Sequence, residues 1–393
     1  MLSKSFDSDE FKSSIWQKKP AVFRGMFPNF VDPLSADELA GLALEPGVDS
    51  RIVQSDHGKW NLIHGPFEAY DTLGDSHWSL LVQAVNEHFP PAQKILNAFS
   101  WMPSWRLDDL MVSFSTPEGG VGAHIDQYDV FIIQGKGERR WSVGPRGEYA
   151  VQTPHPDLKQ ISGFEPILDE VLKSGDVIYI PAGFPHKGVS LTDSFNYSIG
   201  FRAPSQGEFL SALADYALEF DQLQQRYTDT KESLAAQKNK PDVLPQQAVD
   251  QIQELLRSAL EDKTLIQKVA SKLLSTNPRP PLQFWPEQSI QSDQLLSVLN
   301  NDSRWLAAPG LRWLYTDPQD QNNDPEYIYI QGSRFAADLA VHSFFERISK
   351  EEGVESQWIF ALAESSEQLS SILTWMYNEG LIVCEDDLEE EED

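Results

Sequence analysis

A single cysteine, Cys384, occurs in the 393 residues, so no internal disulfide can staple this chain and a reducing cytoplasm is the expected setting. Long apolar runs are also missing. The longest, such as Val130-Phe131-Ile132-Ile133, are strand-sized and far too short to cross a bilayer. No apolar stretch marks the first twenty residues, so no signal peptide is expected. Basic residues are scarce: 31 Lys and Arg against 60 Asp and Glu leave a net charge of −29. That balance repels naked nucleic acid and favours encounter with a basic partner, besides serving solubility. Part of it lies in the terminal run Glu385-Asp386-Asp387-Leu388-Glu389-Glu390-Glu391-Glu392-Asp393, expected to be a solvated, disordered tail. What is present in quantity is aromatic: 11 Trp, 11 Tyr and 21 Phe, within 40% hydrophobic residues, describe a folded chain. Its length predicts two or three domains.

Residues 1 to about 205 form one unit by pattern. Ser35 and Glu38 have capping-box spacing and predict a helix start, and a second helix is expected over Trp78–Val85. Ser50–Val53 is strand-like. Strands are then expected at Met111–Ser115, Val130–Gln134, Arg140–Val143, Val177–Ile180 and Asn196–Phe201, divided by Gly and Pro as in an antiparallel sandwich or barrel. After Ala203-Pro204-Ser205 the pattern turns helical around 209–218. A polar stretch follows from Gln222 to Lys240, then one or two amphipathic helices over Ala248–Leu274, ended by Asn277-Pro278-Arg279-Pro280-Pro281. This middle section is too thin to enclose a core alone and is expected to pack on a partner subunit. A third unit carries β-like runs at Arg312–Tyr315 and Tyr327–Gln331, helices around 334–349 and 364–379, and a Gly380 cap leading into a short strand.

The chemistry concentrates in Gly122-Ala123-His124-Ile125-Asp126 and Tyr179-Ile180-Pro181-Ala182-Gly183-Phe184-Pro185-His186. In a strand, residues i and i+2 share a face, so His124 and Asp126 can both point inward. His186, 62 positions later, ends an apolar strand-like run at a Pro/Gly turn. If those strands are neighbours, the three side chains make a facial triad of two histidines and one carboxylate, which leaves the other face of a metal open. An isolated His-x-Asp is weak evidence; the glycine-rich entry and apolar strands around it raise its weight. His57, His64, His77 and His88 lie outside the strand-rich stretch, His155 in a Pro-flanked loop and His342 in the third unit. The ligand types suit Fe, Mn, Ni or Zn alike.

A cosubstrate pocket would discriminate among these. A dicarboxylic keto acid chelates a metal at one end and needs a fixed cation at the other, for which an arginine fork is suited. Arg139 and Arg140 are adjacent, so only one can point inward. Ser113 and Ser115 share a face, either of which can complete the clamp, and Asn196 is a further inward candidate.

Asp108-Asp109-Leu110-Met111-Val112-Ser113-Phe114-Ser115 and Gly120-Val121-Gly122-Ala123-His124-Ile125-Asp126-Gln127-Tyr128-Asp129-Val130-Phe131 resemble the JmjC-type cupin oxygenases. Pro181–His186 and Asn196–Pro204 match the same source, and Trp16–Pro20 with His64–Tyr70 extend the resemblance to the bacterial ribosomal oxygenases. The resemblance is strong over about 1–205 and looser beyond. It implies Fe(II) held by His124, Asp126 and His186, with 2-oxoglutarate as cosubstrate on Arg139 and Ser113. It implies hydroxylation at Cβ of an arginine in the sixteenth large-subunit ribosomal protein. The fold it implies is α+β: a double-stranded β-helix (jelly-roll) domain at 1–205, a helical dimerisation domain at 206–277, a winged-helix-like domain at 278–384 and an acidic tail at 385–393. A cytoplasmic homodimer with a basic ribosomal protein as partner is expected, with no membrane and no nucleic acid. Asp108, Asp109 and Tyr128 are candidate substrate-facing groups. Three rivals remain from sequence: a cupin-type ligand-sensing transcription regulator, a metal-dependent isomerase or hydrolase on the same barrel, and a protein demethylase.

Overall fold

The structure, a computed structural model, describes all residues except 1, 5, 57, 237–240, 280–282, 300–301, 317–325, 351–352 and 387–393. The acidic tail beyond Asp386, the end of the polar stretch at 237–240 and the Pro280-Pro281 pair therefore lie outside the described residues. Two compact units divide the chain. The first comprises Met1–Ala203 with the short segments Pro281–Phe284 and Ala307–Gly310; the remainder forms the second.

Two main antiparallel sheets and one two-stranded pair, Val151–His155 with Leu158–Ile161, make the first unit. The larger has eight strands in the order Ala21–Phe23, Val177–Ile180, Asp129–Gln134, Ser194–Phe201, Leu107–Ser115, Trp78–Val82, Ser50–Asp56 and Lys59–His64. The smaller has four, in the order Leu168–Lys173, Glu138–Val143, Pro185–Ser190 and His124–Ile125. From Leu107 onward the chain crosses repeatedly between the sheets, which is the winding of a double-stranded β-helix, a cupin-type sandwich. Helices and sheets together make the chain α+β, as expected.

The strand Asp129–Gln134 is buried at every position, because both faces of the large sheet are covered. Val130 and Ile132 face the small sheet, packing with Trp141, Val143 and Ile178. Phe131 and Ile133 face the other way into a layer built from the N-terminal segments. There Phe11, on the helix Ser8–Ser14 capped by Asp7, meets Phe131 at 5.1 Å and Tyr179 at 5.0 Å between ring centroids. The five strands expected between 111 and 201 are all present, as are the strand from Ser50 and the helix Ala36–Leu42 with its Ser35/Glu38 capping box.

The helix expected over Trp78–Val85 is not formed. Trp78–Val82 is a strand hydrogen-bonded to Ser50–Asp56 on one side and Leu107–Ser115 on the other, and only Val85–His88 turns helical. A short apolar run fits either period, and pairing on both edges decides in favour of the strand. That extension also places His64 in the edge strand of the same sheet rather than outside the strand-rich region.

In the second unit the helix Gln206–Glu219 begins at a Ser205/Glu208 capping box, and Gln246–Glu261 and Lys263–Ser275 are the two amphipathic helices. The polar stretch contains one further short helix, Lys231–Ala236. Two three-stranded sheets follow, with helices Leu339–Ile348, Ser356–Glu364 and Glu367–Asn378. The helix expected from 334 begins later, because Ser333–Ala336 pairs with Tyr327–Ile330 and Asp338 caps the helix proper. Gly380, at φ +64°, ends the last long helix ahead of the strand Ile382–Cys384. No helix among the described residues is long and apolar enough to cross a membrane.

Candidate metal and cosubstrate site

His124 lies directly opposite His186 across the pairing of His124–Ile125 with Pro185–Ser190, and the two rings approach to 4.2 Å. Asp126 closes the group: its Oδ1 is 3.7 Å from His124 Nε2 and its Oδ2 is 3.5 Å from His186 Nε2. One donor atom from each of the three lies within 4.8 Å of the others. Each histidine places Nδ1 3.1 Å from the carbonyl two residues earlier, Gly122 and Phe184 respectively. A carbonyl only accepts, so Nδ1 carries the proton and the Nε2 lone pair is left towards Asp126. Burial first, then the neighbouring His124, pushes the His186 imidazole down to about 4, so it is neutral at pH 7. Two imidazoles and a carboxyl group on one side of a shared point suit a divalent first-row metal.

The local backbone explains how the triad is held. Gly183, at φ +81°, donates its N–H to the Asp126 carbonyl at 2.8 Å and ties the turn before His186 to the end of the opposing strand. Asp129, fully buried just beyond, accepts from Tyr179 Oη at 2.6 Å and Gln17 Nε2 at 3.0 Å. Gly122 takes φ +83°, with the Gln160 amide where a Cβ would project.

A cavity of about 370 Å³ leads from the triad to a buried polar floor. Arg139 points into it and is 5% exposed, whereas Arg140 faces outward near Asp169 at 3.8 Å. Alternation along the strand therefore selects Arg139. Burial lowers its guanidinium to about 9, still a cation at neutral pH, and no carboxylate pairs with it among the described residues. Its Nη2 donates to Ser115 Oγ, which also lies 2.6 Å from Ser79 Oγ. When Ser79 donates, Ser115 keeps its own proton for another oxygen. Ser113 lines the same cavity, but the hydroxyl that Arg139 touches is that of Ser115.

Asn196 also lines it. Gln134 Nε2 donates to the Phe195 carbonyl and its Oε1 accepts from Asn196 Nδ2 at 3.0 Å, which turns Asn196 Oδ1 away as an acceptor. Three buried polar atoms in the cavity wall lack a hydrogen-bond partner: Arg139 Nε, Trp141 Nε1 and Asn196 Oδ1. An unpaired buried cation with an unmet donor is a costly arrangement that a carboxylate ligand would offset. The residues present thus fit a metal at one end and an anionic group at the other. Sequence spacing did not point to Trp141, Ser79 or Gln134; parity alone places Trp141 beside Arg139 on the inner face.

At the mouth, Asp109 accepts from Gln83 Nε2 at 2.7 Å and from the Ala84 N–H at 3.0 Å, Ala84 holding φ +52° to do so. Asp108 and Tyr128 line the same opening. The Tyr128 phenol is held above its ordinary value, by burial first and then by the Asp126 and Asp109 carboxylates, so it stays protonated. His64 and His155 flank Asp157 at the rim, apart from the triad.

Residues 94–209 match the JmjC domain. The ribosomal protein uL16 3-hydroxylase of Escherichia coli (strain K12) is 45% identical over 305 residues, 78% of this chain and 81% of that protein. A probable ribosomal oxygenase of Haemophilus influenzae is 27% identical over 386 residues, covering 93% of each. Among solved structures, E. coli YcfD superposes with a TM-score of 0.84 at 38% identity over 98% of this chain and 99% of that one. The same protein in complex with cobalt and 2-oxoglutarate does so at 0.81 and 36%, over 98% and 100%. Fold and site together define a JmjC-domain protein of cupin architecture. The chain belongs to the family of bacterial ribosomal oxygenases that includes the E. coli uL16 3-hydroxylase.

Removal of one ligand tests the triad directly. His124→Ala is expected to weaken Co(II) or Mn(II) binding by more than about a hundredfold in titration calorimetry, exceeding the loss typical of outer-sphere changes. Far-ultraviolet circular dichroism should be unchanged, because His124 is partly exposed at the end of a two-residue strand. Near-native affinity would remove His124 from the metal site.

Proposed function

We propose that this chain is an Fe(II)- and 2-oxoglutarate-dependent protein hydroxylase acting on Cβ of an arginine in ribosomal protein uL16. The observation that carries this reading is the pairing, in one cavity, of the His124/Asp126/His186 cluster with the buried, uncompensated Arg139. A metal cluster at one end and a fixed cation at the other match the two ends of a dicarboxylic keto acid. The names of the relatives supply the substrate.

In this reading His124, Asp126 and His186 bind the metal from one side. Arg139 takes the far carboxylate of 2-oxoglutarate, and Ser115, which Arg139 touches, is favoured over Ser113 as the accompanying hydroxyl. Bound together, metal and cosubstrate supply oxygen activation coupled to decarboxylation of 2-oxoglutarate to succinate. The protein orients these groups and excludes competing reactions. Asp108 and Tyr128 at the mouth offer a carboxylate and an aromatic face to an incoming guanidinium, whereas the buried Asp109 is already held by Gln83 and the Ala84 N–H. The net charge of −29 favours encounter with a basic ribosomal protein and disfavours nucleic acid. The cytoplasm, where ribosomal proteins are made, is the proposed location.

For the remainder we propose a catalytic domain at 1–205, a helical domain at 206–277, a winged-helix-like domain at 278–384 and the tail 385–393. The helix Gln246–Glu261 carries Val249, Ile252, Leu256 and Leu260 exposed at helical spacing, an apolar stripe suited to a second copy of the chain. Leu256→Asp is expected to convert a dimer to monomer in sedimentation velocity. A wild-type monomer at micromolar concentration would remove the homodimer.

Two measurements address the activity. Intact-mass analysis of ribosomal proteins from cells with and without this gene should show uL16 differing by one oxygen atom; an unmodified uL16 in both excludes the substrate. With purified protein, Arg139→Ala should raise the KM for 2-oxoglutarate by at least about thirtyfold, as loss of a buried charge partner predicts, and Arg140→Ala by less than about twofold. The reverse ranking would put the wrong arginine in the pocket.

A further inference from the structure

Between the cation and the metal cluster lies a side chain that nothing above employs. On Glu138–Val143 the inward positions are Arg139, Trp141 and Val143, paired across to Ser190, Gly188 and His186. The cavity wall is thus a ladder of three rungs: guanidinium, indole, metal-ligating histidine. Trp141 is 6% exposed, its ring 6.1 Å from that of His186 and 5.9 Å from Arg139 Cζ. The edge of the indole's six-membered ring rests on Gly188, where a Cβ would come within 2.8 Å of Cη2 and 2.9 Å of Cζ2. Glycine opposite thereby makes room for this ring. The indole N–H is buried with no acceptor, on the same wall as the equally unmet Arg139 Nε.

Shape alone does not call for the indole N–H at this rung, and a buried donor without an acceptor costs stability. Two unmet donors two residues apart on one inner face are answered by a single group bearing several lone pairs, and a carboxylate has about four acceptor sites. We propose that Trp141 is a positioning residue for the cosubstrate: its indole N–H donates to the far carboxylate of 2-oxoglutarate, alongside Arg139. The ring then fixes the direction in which the bound acid points along the ladder. This inference rests on 2-oxoglutarate being the cosubstrate.

The test is a binding measurement on Mn(II)-loaded full-length protein by titration calorimetry, with no turnover. 2-Oxoglutarate is compared with 2-oxobutyrate, which keeps the 2-oxo acid head and lacks the far carboxylate. Trp141→Phe is expected to weaken 2-oxoglutarate by about tenfold or more, the size of a hydrogen bond to a charged group, and to leave 2-oxobutyrate within about twofold. Benzothienylalanine at position 141, of indole shape with sulfur in place of N–H, should reproduce the loss and guards against a packing defect in the phenylalanine variant. Unchanged 2-oxoglutarate affinity in both variants, or equal losses for both acids, overturns the proposal. Failure of the wild-type Mn(II) protein to bind 2-oxoglutarate at all would instead overturn the functional reading on which it rests.

Discussion

Arg139 is a full positive charge placed where water scarcely reaches, with a serine hydroxyl as its hydrogen-bond partner and no carboxylate beside it among the described residues. Most buried arginines are neutralised by an acidic side chain, because an isolated charge in a low-dielectric interior is expensive. Here the surroundings are organised around the charge without cancelling it. Ser79 and Ser115 form a short hydroxyl chain ending on the guanidinium, and Gln134 turns the Asn196 carbonyl oxygen away from its own amide partner. A folded state that retains such a charge is shaped to receive an anion.

The His124/Asp126/His186 cluster depends on strand pairing in a different way. Strand pairing brings His124 and His186 face to face, and each ring is then oriented by a carbonyl two residues upstream in its own chain. This local device is repeated in two segments far apart in sequence, so both imidazoles adopt the same tautomer without any side chain dedicated to the task. Behind them, the Tyr179–Asp129–Gln17 network anchors the strand that follows Asp126 to the N-terminal layer. The aromatic cluster around Phe11 and Phe131 supports that layer in turn. Site geometry is therefore linked to the packing of the outer face of the large sheet, with no direct contact needed between the two.

Much of this was legible in the residue order. Period-two spacing in His124-Ile125-Asp126 and the Pro/Gly turn before His186 mark candidate ligands without coordinates, since alternation in a strand is a local property. The same parity states that one of Arg139 and Arg140 is inward. Where local pattern is degenerate, residue order does not decide: Trp78–Val82 has a composition compatible with helix or strand, and its neighbours on both edges settle it. The strand Ser333–Ala336 was likewise obscured by the helix that follows.

Sequence by itself determined the kinds of chemical group available, their spacing along each strand, the acidity of the surface and the alternation of faces, because these follow from covalent order and backbone geometry. Tertiary structure alone decided which strands are neighbours. It thereby decided that Ser115 is the hydroxyl touching Arg139, that Trp141 faces Gly188 between Arg139 and His186, and that Asp109 is held by Gln83 and the strained Ala84. Such contacts join residues tens of positions apart. Their energies depend on burial and register that exist only once the sheets have closed on one another.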